Sequence, residues 1–389
     1  MTSEMVTDVA AAGDELIAAA ARAADTLREL APRNEQAREL VPESLEAIAA
    51  HGLGRMSLPR HRGGGEVPYA VQERVLQEFA RGCPSSAWVA TVYTASIAMA
   101  GYFPDHVQDR LLDGPAPRIS GVVAPTARAM PASGGWEISG RWTFNSGCRG
   151  ADWGLMSAMG PEGPLLAAIS YDKLHIQDDW HTMGLRGTGS SSVVADGVFV
   201  PADWALPLGA LLEGVSLSER NRSVPMLNIP LIPLLMAAAG GTPVGMARGA
   251  MELFLERLPS RSIATTFYDK QAEAPVTHLM LGEAAMKVDL AAYLSGRAAG
   301  LADRLGGRPW STSERVQLRA DVGYATKLAK EVVDELLNAS GASAVYDDSP
   351  MQRYVRDIRV LAQHAGLQRT TNVEMHGRVL AGLEPHGQH

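Results

Sequence analysis

The residues best suited to chemistry lie in a few short segments rather than in a recognised catalytic signature. Residues 142–147 and 184–190 combine aromatic, hydroxyl and glycine residues, and His364 lies near the end of the chain. The sequence contains no glycine-rich phosphate loop after a strand, no His-Glu-x-x-His and no Gly-x-Ser-x-Gly elbow. An enzyme of this size without those signatures often takes its chemistry from a bound organic cofactor.

Composition and charge exclude several functional classes. The chain has 389 residues, of which 46% are hydrophobic and 20% charged, which is typical of a globular protein with a large core. The net charge of -8 argues against nucleic acid, since a phosphate backbone requires a basic face. The two distant cysteines, Cys83 and Cys148, indicate reduced thiols, so no disulfide framework and no metal site is predicted.

Nothing in the sequence predicts export or a membrane span. The alanine-rich start carries acidic residues where a signal peptide needs a basic start and an unbroken apolar run. The most apolar stretch, residues 224–255, is interrupted by four prolines and by Arg248 and Glu252. We therefore expect a cytoplasmic protein.

The first region, residues 1–114, has a helical pattern. Apolar residues recur at three- and four-residue steps between Leu16 and Leu30. Pro42 predicts the first turn of a helix, and Pro84 predicts the start of a long apolar helix that reaches Ala100.

The middle region, residues 115–222, has the composition of strands and turns. Residues 134–144 predict two short strands joined by a Ser-Gly turn. Residues 165–170 and 191–200 predict two further strands, the second ending at Pro201. We expect a compact antiparallel sandwich or barrel here.

Helical patterns return in the last region, residues 223–389. Ser311 and Glu314 predict a capping box that opens a long helix, and residues 354–368 predict a further helix. Four long helices separated by short breaks suggest an up-down four-helix bundle.

The order of helices, sheet and helices, with Trp142-Thr143-Phe144-Asn145-Ser146-Gly147 and Gly184-Leu185-Arg186-Gly187-Thr188-Gly189-Ser190, resembles the acyl-CoA dehydrogenase fold over nearly the whole chain. Tyr354-Val355-Arg356-Asp357 is similar to the last long helix of that family. The resemblance implies FAD or FMN between the middle region and the bundle, and a homotetramer whose subunits complete one another's flavin sites. The flavin contacts it implies are Trp142, Phe144, Asn145, Ser146, Arg186, Gly187, Thr188, Ser190, Arg261, Gly341 and Ala342.

Each implied flavin contact also has a simpler interpretation. In the family, the segment of Ser146 passes the flavin N5 and C4a, where a hydroxyl can hold a flavin peroxide; Ser146 would equally cap the end of a strand. Arg186 would equally be a surface residue. Arg261 matches an arginine on the phosphate of a neighbouring subunit's flavin, or is a solvated helix end. Gly341 matches the loop that receives the adenylate or phosphate end, or is a helix C-cap.

One position separates two chemistries within the family. Many acyl-CoA dehydrogenases carry a glutamate base where this chain has Ala365, and His364 stands one residue earlier. This arrangement resembles the two-component flavin-dependent monooxygenases, which take reduced flavin from a separate reductase and use O2 through a C4a-hydroperoxyflavin. A histidine of near-neutral pKa can polarise a substrate or donate a proton to the distal oxygen, although His364 would equally be a structural residue of a bundle helix.

The segment that begins Pro84-Ser85-Ser86-Ala87-Trp88 is also similar to that branch. Several phenol hydroxylases of the branch carry a histidine where this chain has Ser96, a departure that suits a substrate such as an indole whose ring is already electron-rich. Trp88, Tyr93 and Ser96 lie near one face of a helix, as pocket or as core. The predicted substrate contacts are Trp88, Tyr93, Ser96, Ser120 and His364.

The resemblance therefore predicts hydroxylation of an electron-rich aromatic small molecule of indole, phenol or polyketide type. The sequence shows no nicotinamide-binding fingerprint, so a separate NAD(P)H-flavin reductase would supply the flavin by diffusion. Three alternatives stay open. They are an acyl-CoA desaturase with a relocated base, an amine N-oxygenase of the same fold, and a helical scaffold that has lost its flavin.

Overall fold

The computed structural model describes residues 3–389. Five helices precede the sheet: α1 (Ser3–Ala37), α2 (Pro42–Ala49), α3 (Tyr69–Gly82), α4 (Pro84–Ala100) and α5 (Asp105–Leu111). Pro42 and Pro84 begin α2 and α4 as predicted, because the fixed φ of proline suits a first helical turn. Nearly every residue of α4 is buried, so this helix lies at the centre of the molecule.

Seven strands follow in one sheet of order β5-β6-β2-β1-β3-β4-β7. They are β1 (Ile119–Ala132), β2 (Gly135–Trp142), β3 (Trp153–Gly160), β4 (Gly163–Ser170), β5 (His175–Ile176), β6 (Val193–Pro201) and β7 (Ala205–Pro207). Val193 in β6 and Ala205 in β7 belong to one buried cluster although their strands lie toward opposite ends of this order. The sheet therefore curls around its own core.

Two details differ from the sequence-based expectation. The predicted pair of short strands is wrong, because residues 135–142 form the single strand β2, in which Gly140 has a φ of +150° and the register shifts between Ile138 and Gly140. This is a β-bulge that a glycine permits, not a turn. The pairs are antiparallel except β1 with β3, which is parallel because the chain crosses to the other side of β1 between residues 143 and 152.

The remaining helices are α6 (Leu208–Leu212), α7 (Leu231–Ala237), α8 (Gly241–Arg257), α9 (Pro275–Leu305), α10 (Thr312–Ala339), α11 (Pro350–Leu361) and α12 (Arg369–Leu380). The predicted capping box is confirmed at α10, where the Ser311 hydroxyl accepts from the amide of Glu314 and the Glu314 carboxylate accepts from the amide of Ser311. Among the helices of residues 3–389, none has the length and apolar character needed to cross a membrane.

The predicted helix over residues 354–368 is wrong in its second half. Helix α11 ends at Leu361, and residues 362–368 form turns before α12 begins. Gly366 has a poor helix propensity, and its amide donates to the ring of His364 instead of continuing the helix. His364 therefore lies in the turn between α11 and α12.

Candidate active site

A cavity of about 1330 Å³ lies between the sheet and the helices. Helices α4 and α7 provide apolar walls, β1 and the residues after β2 provide another, and the turn between α11 and α12 closes one side. The predicted residues that line it include Trp88, Ser96, Phe144, Ser146, Ser190 and His364. Its size and mainly apolar lining suit a flat organic ligand, with room for a second one.

A chain of hydroxyl groups lies along the sheet side of this cavity. The Ser146 Oγ lies 2.7 Å from the Ser190 Oγ, which lies 2.6 Å from the Thr188 Oγ1. The Trp88 indole N–H donates to the Ser146 Oγ at 3.1 Å, and the Thr188 hydroxyl donates to the Leu185 carbonyl at 2.8 Å. Predicted contacts from three separate segments are thus joined in one network.

The bonds at the two ends of the hydroxyl chain determine which group donates in each of its hydrogen bonds. Thr188 gives its proton to the Leu185 carbonyl, so it accepts from Ser190, and Ser190 in turn accepts from Ser146. The Ser146 hydroxyl already donates to Ser190 and accepts from Trp88. What Ser146 offers to a ligand is therefore a lone pair and not a proton.

Two aromatic rings lie at the edge of the cavity beyond the hydroxyl chain. Phe144 lines the cavity and is 73% exposed. Its φ of +59° is costly for a residue with a Cβ. The Trp180 ring meets it edge-to-face at 6.1 Å, and the Trp180 indole N–H donates to the Leu185 carbonyl at 3.0 Å. Together these rings offer an apolar surface in which the two ring planes are nearly perpendicular.

Residues 184–190 are held against α11 by a buried carboxylate. The Leu185 amide donates to the Asp357 carboxylate at 2.6 Å, and burial raises the pKa of Asp357 to about 7. A side chain on Gly184 would place a Cβ 2.3 Å from the carbonyl oxygen of Arg356, so only glycine allows this close approach. The position of the hydroxyl chain therefore depends on α11.

The ring of His364 lies edge-on to Trp88, with 4.9 Å between the ring centres. Its accessible surface faces the cavity, while protein encloses it on the other sides, and this burial lowers the pKa of His364 to about 4. The Gly366 amide donates to Nδ1 at 3.2 Å. The lowered pKa favours the neutral ring, and because the Gly366 amide occupies Nδ1, the neutral ring carries its proton on Nε2.

Four predicted contacts lie behind the cavity wall. Tyr93 is five residues after Trp88, about 140° round the helix, and its hydroxyl donates to the Gly147 carbonyl at 2.6 Å. The Ser120 and Asn145 side chains bond to the Tyr171 hydroxyl, at 2.6 and 3.1 Å. The Trp142 indole N–H donates to the Ser157 carbonyl at 2.6 Å. These residues support the Ser146 turn and do not line the cavity.

Three predicted contacts of the 184–190 segment, Arg186, Gly187 and Thr188, also lie outside the cavity lining, Thr188 directly behind Ser190. The Arg186 Nε donates to the Thr182 carbonyl at 2.8 Å, and its guanidinium lies 3.7 Å from the Glu35 carboxylate. A Cβ at Gly187 would lie 2.9 Å from the Cβ of Asn34, so this glycine lets the segment pack closely against α1.

Comparisons with known proteins give the same architecture. A family described as acyl-CoA dehydrogenase, C-terminal domain, matches residues 237–369. The chain is 29% identical to the oxygenase component of an FADH2-dependent resorcinol hydroxylase from Rhizobium sp., over 96% of each chain. It is 28% identical to the flavin-dependent monooxygenase oxygenase subunit HsaA of Rhodococcus jostii, over 92% of this chain and 96% of that one. The structure of XiaF from Streptomyces sp. with FADH2 and glycerol superposes with a TM-score of 0.92 at 27% identity, over 99% of both chains.

The chain has the acyl-CoA dehydrogenase fold, and the relatives that it resembles over more than nine tenths of their length are named as flavin-dependent monooxygenases or hydroxylases. Since the relatives match from end to end, the resemblance extends to all three regions and not only to the bundle. The fold class predicted from the sequence is confirmed.

The chain carries a second group of predicted contacts at the end of α8. The Arg261 Nη1 donates to the Ser343 hydroxyl at 3.0 Å, and Arg257 donates to the same oxygen at 3.3 Å. A Cβ at Gly341, whose φ is +66°, would lie 3.1 Å from the Arg261 Nη2, and Ala342 begins the following short helical turn. Burial and the neighbouring Arg257 cation lower the pKa of Arg261, so the pair suits an added anion.

Sequence reasoning missed several residues of these two sites, among them Arg257, Trp180 and Ser343. Arg257 ends α8 and lies four residues before Arg261, which is extended, so the pair is brought together by the turn between them and not by helical spacing. Trp180 and Ser343 lie in irregular segments without periodicity, so no sequence signal identified them.

Proposed function

We propose that this chain is the oxygenase component of a two-component monooxygenase that hydroxylates an electron-rich aromatic small molecule. The observation that carries the proposal is one cavity with the Ser146 hydroxyl chain on its sheet side, neutral His364 on its helical side and Trp88 touching both. Reduced FAD or FMN, when bound, would react with O2 and supply the oxygen atom.

The donors and acceptors around Ser146 fit a reduced flavin. Reduced flavin carries a hydrogen on N5, and the free lone pair of Ser146 can accept it, since its own proton is engaged by Ser190. The exposed ring of Phe144, which Trp180 contacts edge-to-face, would suit the flat apolar face of the isoalloxazine. Arg257, Arg261 and Ser343 would suit a flavin phosphate, because guanidinium groups donate paired hydrogen bonds to phosphate oxygens.

His364 would assist the transfer as a neutral hydrogen-bond donor. Its Nδ1 is occupied by the Gly366 amide, so Nε2–H is the group it can offer to a substrate or to the oxygen being transferred. The Trp88 ring beside it excludes water from that side of the ring.

The charges of the cavity lining count against two alternatives. Among the described residues that line the cavity there is no Asp or Glu, so a relocated carboxylate base for acyl-CoA desaturation has no place there. The charged residues of the lining are Arg319, Lys330 and Arg359. Lys330 and Arg359 pair with Asp334, so the cation that would repel a protonated amine is Arg319. An uncharged or acidic aromatic compound suits the cavity better.

Partners follow from the same chemistry. An NAD(P)H-flavin reductase would provide reduced flavin by diffusion, which places the pair in the cytoplasm with the nicotinamide pool. Helix α9 exposes apolar side chains at helical spacing, which support assembly with further copies of this chain as a homotetramer. These side chains are Val276, Leu279, Met286, Leu290 and Tyr293.

The test is turnover of the purified chain with a flavin reductase, NADH, FAD or FMN, and a panel of indoles and phenols under ¹⁸O2. We expect one ¹⁸O atom in the product, measured by mass spectrometry, and no product when only oxidised flavin is present. Bleaching of bound oxidised flavin by an acyl-CoA without oxygen, with no ¹⁸O product from any compound, would overturn the proposal.

A further inference from the structure

One arginine in the cavity wall is buried without a carboxylate partner among the residues that the structure describes. Arg319 lies on α10, is 7% exposed and lines the cavity. Its Nε donates to the side-chain oxygen of Asn372 at 3.0 Å, and its Nη1 donates to the carbonyl of Gln388. Both acceptors are neutral, so they satisfy hydrogen bonds and leave the charge of the guanidinium unbalanced.

Other cationic side chains of α10 and of the cavity lining have carboxylate partners. Arg315, one turn earlier on α10 and equally buried, has the Glu213 carboxylate at 2.6 Å. Lys330 and Arg359, the other cations of the lining, share the Asp334 carboxylate at 2.6 and 2.9 Å. A buried cation is unfavourable without a counter-charge, and the cavity provides space for one beside Arg319.

Arg319 is connected to His364 through three hydrogen bonds. Arg319 donates to Asn372, the Asn372 amide donates to the Gly366 carbonyl at 2.8 Å, and the Gly366 amide donates to the His364 ring at 3.2 Å. Arg319 and His364 therefore lie on the same wall of the cavity. Leu235 and Met236 of α7 also line it and would cover an aromatic ring there.

We propose that the substrate is an aromatic acid whose carboxylate binds Arg319, which fixes the ring within reach of His364. A guanidinium presents parallel donors that match a carboxylate, so a planar oxyanion is the group the site would select. The inference rests on the proposed function in taking the cavity's ligand to be an aromatic substrate. The flavin phosphate is another source of such an anion, and flavin binding separates the two sources.

The experiment compares acids with their uncharged amides. Calorimetry with the full chain and oxidised FAD would measure the Kd of indole-3-acetate against indole-3-acetamide, and of 3-hydroxyphenylacetate against its amide. We expect at least one of the acids to bind about tenfold to a hundredfold more tightly than its amide, since a hydrogen bond to a charged group contributes that much. Arg319→Met should abolish the preference, and Arg319→Lys should keep part of it.

Arg315→Met is the matched control, because it removes an equally buried arginine of the same helix that does not line the cavity. It should leave the acid preference and the FAD affinity unchanged, whatever it does to thermal stability. Equal binding of acids and amides, no binding of either acid, or an acid preference that survives Arg319→Met would overturn the inference. Loss of FAD affinity in Arg319→Met, with the acid preference intact, would assign Arg319 to the flavin instead.

The two proposals fail in distinguishable ways. If acids bind through Arg319 but no oxygen is incorporated from ¹⁸O2, the monooxygenase proposal fails while the anion site stands. If neutral indoles or phenols are hydroxylated while acids gain nothing from Arg319, the anion site fails and the monooxygenase proposal stands.

Discussion

The two sides of the cavity differ in how fully their polar groups are engaged. On the sheet side, Ser146 donates to Ser190, Ser190 donates to Thr188, and Thr188 donates to the Leu185 carbonyl. On the helical side, Arg319 is buried against neutral partners and His364 faces the cavity beside Trp88, and both keep hydrogen-bond donors for the cavity.

The difference indicates that the sheet side suits the cofactor and that the helical side suits the substrate. A closed network has one low-energy arrangement, so it can hold a cofactor edge in a fixed position with little reorganisation. A group with an unused donor changes its interactions when a ligand arrives, so it suits the substrate or the transferred oxygen. The predictions below alter one side at a time.

The largest effect is expected from His364→Ala. Removal of a positioned donor should lower the rate of product formation about 100-fold, while the Kd for flavin changes less than about threefold. Stopped-flow absorbance and product analysis would measure both. His364→Gln, which keeps an N–H donor, should recover part of the rate, and full coupling of NADH to product in His364→Ala would contradict a role in the transfer.

The same histidine gives a pH prediction. Burial lowers the pKa of His364 to about 4, below its ordinary value of 6.5, so the ring is neutral in the folded protein from about pH 5 upward. The ratio of the wild-type product rate to the His364→Gln product rate should therefore stay constant between pH 6 and 8. A step in that ratio near pH 6.5 would indicate an imidazolium instead.

A smaller effect is expected from Ser190→Ala, which breaks the hydroxyl chain. Ser146 would lose its acceptor, and its proton would compete with N5–H of a reduced flavin, so the affinity for reduced flavin should fall about fivefold to tenfold. Anaerobic titration measures this Kd. Ser157→Ala is the matched control, because the buried Ser157 hydroxyl donates to the Leu165 carbonyl within the sheet, away from the cavity. Equal flavin affinities in the two variants would remove the hydroxyl chain from cofactor binding.

The smallest effect concerns stability. Burial raises the pKa of Asp357 to about 7 from an ordinary value of 3.8, so its contribution to folding is fully present below about pH 4 and is lost as the pH rises through 7. Asp357→Asn keeps an acceptor for the Leu185 amide and does not titrate. Its Tm relative to wild type should therefore rise by about 2–4 °C between pH 5 and pH 8, measured by calorimetry. A fall of that difference with pH would show that the carboxylate is stabilised by its arginine neighbours.

The sequence predicted the order of the three regions because local signals specify it. Prolines at Pro42 and Pro84 and the capping box at Ser311 act within one helical turn. The parallel pairing of β1 with β3 was not predictable, since it depends on a crossover between distant residues. The bulge at Gly140 was mistaken for a turn, because a glycine after a serine suits both.

Some residues of the site were likewise predictable from the sequence and others were not. Motif resemblance brought Ser146, Ser190 and Thr188 forward, and the structure joins them, but the direction of their protons depends on Trp88 and on the Leu185 carbonyl. Arg319 had no sequence signal, because a buried arginine inside a helix is recognised only when its surroundings are known to contain no carboxylate.

The cavity draws its walls from α4, from the segments beside the sheet and from the last helices. The function therefore cannot be excised or grafted as a module. A fragment limited to residues 237–369 would carry Arg319 and His364 but neither Trp88 nor Ser146. A ligand that fills the cavity binds only the docked arrangement, so it stabilises the association of all three regions at once. Thermal shift is thus a direct screen for substrates, and any mutation that loosens one region from another acts as a binding mutation.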